Sequence, residues 1–504
     1  MSGAVENRDG FMPPPAGEFL GHPKALWNLF ASEFWERFMY YGMRAMLAVH
    51  IAAAFFAHLG DGARAEASLT YGGFTSLVYM TGIAGGFVAD RILGYQRSIM
   101  LGGALMAVGS FMLMAPDLTT FVIGLAVIVV GNGLFKPNIS TMVGKLYAPG
   151  DVRRDSGFTI FYMGINAGAF FAPFICASWI GQTYGYRWGF FSAGIGMILG
   201  LMVFQLLKGW LGHVGTAPEG KKGFAPVIQV LLAAAVMVIP VYYLLSKSDI
   251  LGVLLIGMML ALVAYFVYSG VRSGDKVQLH RYIAMLILFV ANILFWALFE
   301  QAGSSLTFLA QDFVKMPDVS ILGWTPTFEV FQSVNPVFII LLAPVFATLW
   351  IKLDKAEWNP SIPRKFAYGL AGAAIGFYVL VFAIENFVDA GGKISWVWLA
   401  LTYLIHTMGE LCLSPIGLAM VTKLAMPKET GLAMGGWFLS IAMANFVAGR
   451  IAAIASGGNA EGESASSLLQ YASTFNQLFI LGIVIAVLFF LAAPLINKLM
   501  HGVK

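Results

Sequence analysis

Runs of about 20 apolar residues recur along the chain between short polar segments, and each is long enough to cross a bilayer as a helix. The pattern predicts spans near 26–52, 70–89, 98–115, 118–141, 157–178 and 187–206. Two more fall near 225–245 and 250–270, followed by six near 282–302, 331–351, 366–384, 396–421, 432–454 and 474–497. The fold class expected is an all-α polytopic membrane protein of fourteen spans, arranged six, two and six. Its domains are a tail over 1–25, an N-terminal six-helix bundle over 26–206, a linker with two extra transmembrane helices over 207–281, a C-terminal six-helix bundle over 282–497 and a tail over 498–504. Two six-span halves place a substrate site between them near the midplane. No sequence repeat is visible to support the symmetry, and the extra pair, without internal charge, reads as a scaffold or lipid-facing element.

Composition agrees, with 59% hydrophobic and only 11% charged residues, too few to cover a soluble domain. With a cytoplasmic amino terminus, segments on that side hold 21 of the 30 Lys and Arg against 5 on the other. The positive-inside rule then puts both termini in the cytoplasm of a multi-pass inner-membrane protein. This bias accounts for the net charge of +4 without a nucleic-acid partner. Cys176 and Cys412 both lie within spans, which leaves no disulfide framework, and no residues show metal-ligand spacing. The segment holding Pro13, Pro14 and Pro15 reads as a disordered tail without a cleavable signal peptide. Without a Ser-His-Asp set, a Gly-rich phosphate cradle or a sizeable loop domain, an enzyme, a receptor or a nucleotide-driven pump is disfavoured, and no cofactor is expected.

The first span breaks the apolar pattern with Glu33, Glu36, Arg37, Tyr40, Tyr41 and Arg44. On a helix these fall within an arc of roughly 140°. A charge exposed to lipid costs about 2.5–3.5 kcal/mol on insertion scales, so the stripe must face a hydrated interior. That geometry points to a solute pathway.

Six clusters resemble the proton-dependent oligopeptide transporters of the major facilitator superfamily. They are Glu33-Phe-Trp-Glu36-Arg37 with Tyr40 to Arg44; Gly86-x-x-x-Asp90-Arg91-x-x-Gly94; Gly131-Asn-Gly-Leu-Phe-Lys136-Pro137-Asn138; Phe161-Tyr162 with Asn166 and Gly168; Phe295-Trp296 with Glu300 and Gln301; and Gly409-Glu410 with Ser414 and Pro415. The Asp-Arg loop is common to many facilitators, whereas the Glu-x-x-Glu-Arg stripe with Lys136 and Glu410 is specific. The resemblance implies the major facilitator fold, two six-helix bundles and an inserted helix pair. It also implies a proton-coupled symporter that imports di- and tripeptides by alternating access and works as a monomer. Span two lacks the histidine of animal members, so a carboxylate must carry the proton. The alternative is a facilitator for another small anion or a drug, such as nitrate.

A short peptide is a zwitterion, and its receptor needs a cationic and an anionic pole across one cavity. Lys136 and Arg44 suit the carboxylate, and the resemblance places Arg37 beside them. It gives Glu410 to the substrate ammonium, with Asn166 and Asn335 as amide partners and Ser414 one turn beyond. Two bland roles stay open: Lys136 neutralising an internal carboxylate, and each Asn as interhelical glue of about 0.6 kcal/mol. Tyr40, Tyr41, Tyr79, Trp296, Trp437 and Phe438 could line apolar side-chain pockets or simply pack.

Proton coupling needs a carboxylate that exchanges partners. Glu300 opposite Arg44 would form a periplasmic gate. Glu33 and Glu36 beside Arg37 would form a second proton site, the rival being a plain helix tether. Lys136 and Glu410, from opposite bundles, are expected to gate as well. Asp90 and Arg91 would fasten the inward gate, against a merely topogenic role for Arg91 and Arg97. His406 is expected as a polar neighbour in the cavity, and Pro137, Pro173, Pro336, Pro344 and Pro415 as hinges.

Overall fold

A computed structural model describes residues 11–221, 223–320, 323–456 and 468–503. The first ten residues of the expected tail and Lys504 lie outside these described residues. Fourteen helical segments occur at the expected places: α1 (Lys24–Ala54), α2 (Ala63–Leu93), α3 (Tyr95–Met112), α4 (Leu118–Lys145), α5 (Arg153–Tyr184), α6 (Tyr186–Leu206), α7 (Ala225–Ser246), α8 (Ser248–Arg272), α9 (Lys276–Phe313), α10 (Phe328–Lys355), α11 (Ile362–Asn386), α12 (Trp396–Leu424), α13 (Pro427–Ala455) and α14 (Leu468–Leu499). Among the described residues, twelve are long and apolar enough to cross a membrane. The other two are α1, which carries the charged stripe, and α3, which opens on Tyr95-Gln96-Arg97. Several helices outrun the apolar pattern, α9 by eleven residues past the expected end at 302. Hydropathy marks only the hydrocarbon-crossing part, while backbone hydrogen bonding continues a helix into polar surroundings.

The helices are interrupted where the sequence withholds regular hydrogen bonds. Pro173 lacks an N–H and opens a π-helical stretch to Gly181 in α5. A 3-10 turn at Glu300–Gly303 divides α9, and α10 opens with a 3-10 turn, Phe328–Ser333, ahead of Pro336. Pro137, Pro344 and Pro415 lie inside continuous helices.

Both described chain ends lie on one side of the bundle, here termed proximal. Part of the expected disordered tail is ordered there, which corrects the sequence reading. Glu18–Phe19 pairs with His22–Pro23 in a tight hairpin, allowed by the left-handed backbone of Gly21 (φ +75°). The buried His22 imidazole bonds the Tyr147 hydroxyl at 2.8 Å, and Arg153 pairs with Glu18 at 2.6 Å. A polar composition suggested disorder, but these long-range bonds to the α4–α5 loop were invisible in it.

Close packing depends on glycine. A Cβ on Gly102 would sit 2.6 Å from the Gly131 carbonyl oxygen, so α3 and α4 touch backbone to backbone. Such contact substitutes for the hydrophobic drive that is absent between helices in lipid. The extra helices are divided between the halves. Helix α7 lies against α4, whereas α8 packs on α9 and α13, with Asp249 paired to Arg450 and Ser269 donating to Glu429 at 2.7 Å.

Across the halves, α2 runs along α13, and a Cβ on Gly72 would lie 2.7 Å from the Gly449 Cα. Gly72→Val should therefore cost about 1–3 kcal/mol in this conformation and shift population about 5- to 150-fold toward states parted on the distal side. The check is maleimide labelling of a Ser178→Cys thiol, buried in the distal interface, which should speed up in the Gly72→Val background. Unchanged labelling would show that this contact does not limit opening.

Candidate functional site

The charged stripe of α1 is buried as required, and its partners are drawn from neighbouring helices. The Arg37 Nε lies 3.1 Å from a Glu33 oxygen and also donates to Glu36. Asn132 on α4 donates to the other Glu36 oxygen at 3.2 Å. The Arg37 guanidinium stands 5.4 Å from the Tyr40 ring centroid. One Glu33 oxygen and the Arg37 Nη2 are buried without a hydrogen-bond partner among the described residues, so the cluster retains unused bonding capacity.

Two turns beyond Arg37 on α1, Arg44 donates to the Tyr71 hydroxyl of α2 and to Glu300 of α9. All three are buried. This ion pair joins the two halves, and removing one member of such a buried pair costs about 3–5 kcal/mol because the survivor is left uncompensated. More distally, Arg64 on α2 pairs with Asp312 on α9. A further tie closes the distal seam between α5 and α10. Thr327 bonds Ser178, while the buried Glu329 carboxylate accepts from Gln182 at 2.5 Å and the Tyr186 hydroxyl at 2.7 Å.

The proximal side is open. A cavity of about 900 Å³ runs from Lys136 to the proximal helix ends at Asp90, Lys145 and Arg154. Its walls come from both halves: Tyr79 and Asn132 on one side, Met434 and Phe438 on the other. Lys136 meets no carboxylate at salt-bridge distance among the described residues, and its ammonium lies 4.5 Å from the Tyr79 ring centroid. That contact leaves hydrogen-bonding capacity for an anionic ligand.

The anionic pole is on the facing half. Asn335 on α10 donates to Glu410 on α12 at 2.9 Å and to Thr407 at 3.0 Å. Glu410 lies within electrostatic reach of Tyr41, Tyr162 and Glu300. The indole N–H of Trp296 is buried with no partner among the described residues, a donor open to a ligand. Asn166 donates to the Tyr162 carbonyl of its own helix at 2.9 Å. Ser414, half-buried, lies one turn beyond Glu410 on α12.

Several expected placements need correction. Trp437 packs inside the C-terminal half between Phe289 and Phe366, at 6.1 and 6.4 Å between ring centroids. Helical phase instead puts its neighbour Phe438 on the cavity wall. Tyr40 stacks on Phe74 within the core. His406 does not face the cavity: its Nε2 bonds the Ala373 carbonyl at 2.9 Å and its ring packs on Phe377. Asp90 accepts from Tyr95 within the same half, and the exposed Arg91 offers its carbonyl to Lys221 at 2.9 Å. That loop thus fastens α2, α3 and the linker together, not the two halves. Lys136 and Glu410 do not bond each other in this proximally open state.

Sequence reasoning passed over Tyr71, Asn132, Thr407, Glu329 and the Arg64–Asp312 pair. Asn132 stood within the quoted Gly131-Asn-Gly segment and gave a signal. The others lack one, because each meets its partner on another helix, 27 residues away for Tyr71 and Arg44 and 248 for Arg64 and Asp312.

This arrangement has known counterparts. The POT family model matches residues 96–468. The peptide transporter YePEPT of Yersinia enterocolitica is 38% identical, over 87% of this chain and 89% of its own length. The dipeptide and tripeptide permease B of Photorhabdus asymbiotica is 32% identical, over 97% of this chain and 99% of its own. The crystal structure of a peptide transporter POT in complex with sulfate superposes with a TM-score of 0.81 at 36% identity, covering 98% of each chain. A multi-pass membrane transporter of the major facilitator fold, the chain belongs to the POT family.

Proposed function

We propose that this protein imports di- and tripeptides together with protons by alternating access, in the cytoplasmic membrane of a bacterium. The observation that carries this reading is a pair of opposite charges from opposite halves, Lys136 on the wall of the proximal cavity and Glu410 held by Asn335, neither paired with the other. Relatives described as peptide transporters over most of the chain support it. Both termini are cytoplasmic, which makes the proximal cavity the exit side. Residues 26–206 and 282–497 rock against each other as units, the monomer suffices, and no cofactor takes part.

The cycle follows from who holds whom. Glu300 holds Arg44 in the present state, so the distal gate is shut. A proton delivered to Glu300 removes the charge that Arg44 pairs with, and the gate weakens. A peptide entering between the halves offers its carboxylate to Arg44 and Lys136 and its ammonium to Glu410, with Asn335 and Asn166 along the backbone. The Glu33, Glu36 and Arg37 cluster takes part in proton release toward the proximal side. Tyr41, Tyr79, Trp296, Phe438 and Ser414 offer apolar and polar walls for varied side chains. One proton entering down 100 mV supplies about 2.3 kcal/mol and each pH unit adds about 1.4, enough for modest uphill accumulation.

Glu300→Gln should retain peptide exchange between equal pools but lose accumulation driven by an imposed proton gradient, both read in proteoliposomes with labelled dialanine. Intact gradient-driven accumulation would remove Glu300 from the coupling role. Glu410→Gln exchanges a charge-assisted contact for a neutral one, worth about 1.5–3 kcal/mol, and should weaken dialanine affinity about 10- to 100-fold. Uptake indifferent to that change would favour a substrate without an ammonium. In competition with labelled dialanine, di- and tripeptides should inhibit and free alanine should not. Equal potency of alanine would contradict a cavity with two separated poles.

A further inference from the structure

A second cavity, of about 520 Å³, lies directly outside the distal gate. Its walls continue the three helices that hold the gate. Val49, Ala52 and Ala53 follow Arg44 on α1, Ala63 and Arg64 precede Tyr71 on α2, and Phe308, Gln311 and Asp312 follow Glu300 on α9. The two cavities therefore lie along one seam between the halves, with the Arg44–Glu300 pair between them. The distal one contains both signs of charge. Arg64 pairs with Asp312 across the halves, and the two side chains are 24% and 29% exposed, so each keeps a face toward the void. The Arg64 guanidinium stands 5.1 Å from the Phe308 ring centroid, and Ala52, Ala53, Phe308 and Phe313 supply apolar walls.

We propose that this chamber is an outer docking site for the zwitterionic peptide, distinct from the central site, with Arg64 receiving the carboxylate and Asp312 the ammonium. The inference rests on the peptide reading above. Its physical basis is an exchange of partners. Parting Arg64 from Asp312 without a substitute would take the ion-pair partner from each of them in a partly buried place. A zwitterion inserted between them satisfies both at once, so docking releases a tie between the halves while every charge keeps a partner. A solute bearing one charge, or none, does not provide this exchange. Guanidinium is suited to a carboxylate through its forked donors, and the volume accommodates a short peptide but not a folded chain.

The test is the double variant Arg64→Gln with Asp312→Asn, which removes both charges and preserves a side-chain hydrogen bond between the halves. Dialanine uptake is measured in right-side-out and inside-out membrane vesicles. The expected result is a KM about tenfold higher for peptide presented at the distal face, with KM at the proximal face within twofold of the parent. An unchanged KM at both faces, or an equal rise at both, overturns the outer site and leaves only a structural tie. An independent measurement covers a variant that does not assemble. In the otherwise unaltered protein, a thiol at Ala53→Cys on the chamber wall is labelled by an impermeant maleimide from the distal side. Dialanine should slow this at least fivefold while N-acetyl-dialanine amide, lacking both terminal charges, should not; equal rates with the two compounds overturn the proposal. Failure of the parent to transport dialanine from either face would instead sink the peptide reading itself.

Discussion

The structure is organised around the burial of charge in a membrane-spanning helix. Four ionisable groups on α1 can be kept in the bilayer only where opposite charges, amides and hydroxyls from other residues meet them. The Arg44–Glu300 pair is the decisive case, because its members belong to different halves. Arg44 keeps the Tyr71 hydroxyl within its own half, but neither it nor Glu300 meets its counter-charge unless the halves meet. The same contact thus ties the halves together, and parting them takes from each charge its counter-ion.

Around that pair the ties are arranged asymmetrically. The distal seam carries the Arg64–Asp312 pair, the Thr327–Ser178 contact and the Glu329 cluster, together with the glycine contact of Gly72 on Gly449. The proximal seam between the same halves instead holds the large cavity. A wedge of this shape follows from where small residues and polar ties occur along α2, α5, α10 and α13. Backbone approach at the distal end lets those helices converge, and bulkier walls such as Met434 and Phe438 stand where they diverge. The extra helices fit this division, since α7 travels with the N-terminal half and α8 with the other.

Electrostatic economy also separates the two poles of the central site. Lys136 faces an aromatic ring and Glu410 faces amide and hydroxyl partners. Each is tolerated in the interior by neutral groups, and neither is locked by a counter-ion. Under the proposed function, a zwitterion is the ligand that gains from both at once. Had Lys136 and Glu410 been paired directly, a ligand would have had to break that pair before binding.

The chain by itself determined the helical class, the placement of the spans and the charged stripe of α1. These are properties of local composition: twenty apolar residues dictate a spanning helix, and a helical period aligns Glu33, Glu36, Arg37 and Arg44 on one face. It also marked Lys136, Glu300 and Glu410, because a charge in an apolar run is conspicuous wherever its partner lies. Tertiary structure decided the partners. Tyr71, Asn132 and Thr407 are unremarkable in sequence and become participants only through helix contact. Trp437 and His406 are conspicuous in sequence, yet helix rotation turns them into packed interior. The hairpin of the tail and the distal ties of Glu329 and Arg64 likewise depend on residues far apart in the chain. Pattern along a helix fixes which way a side chain points relative to its own axis, but what it points at is set by how the helices cross.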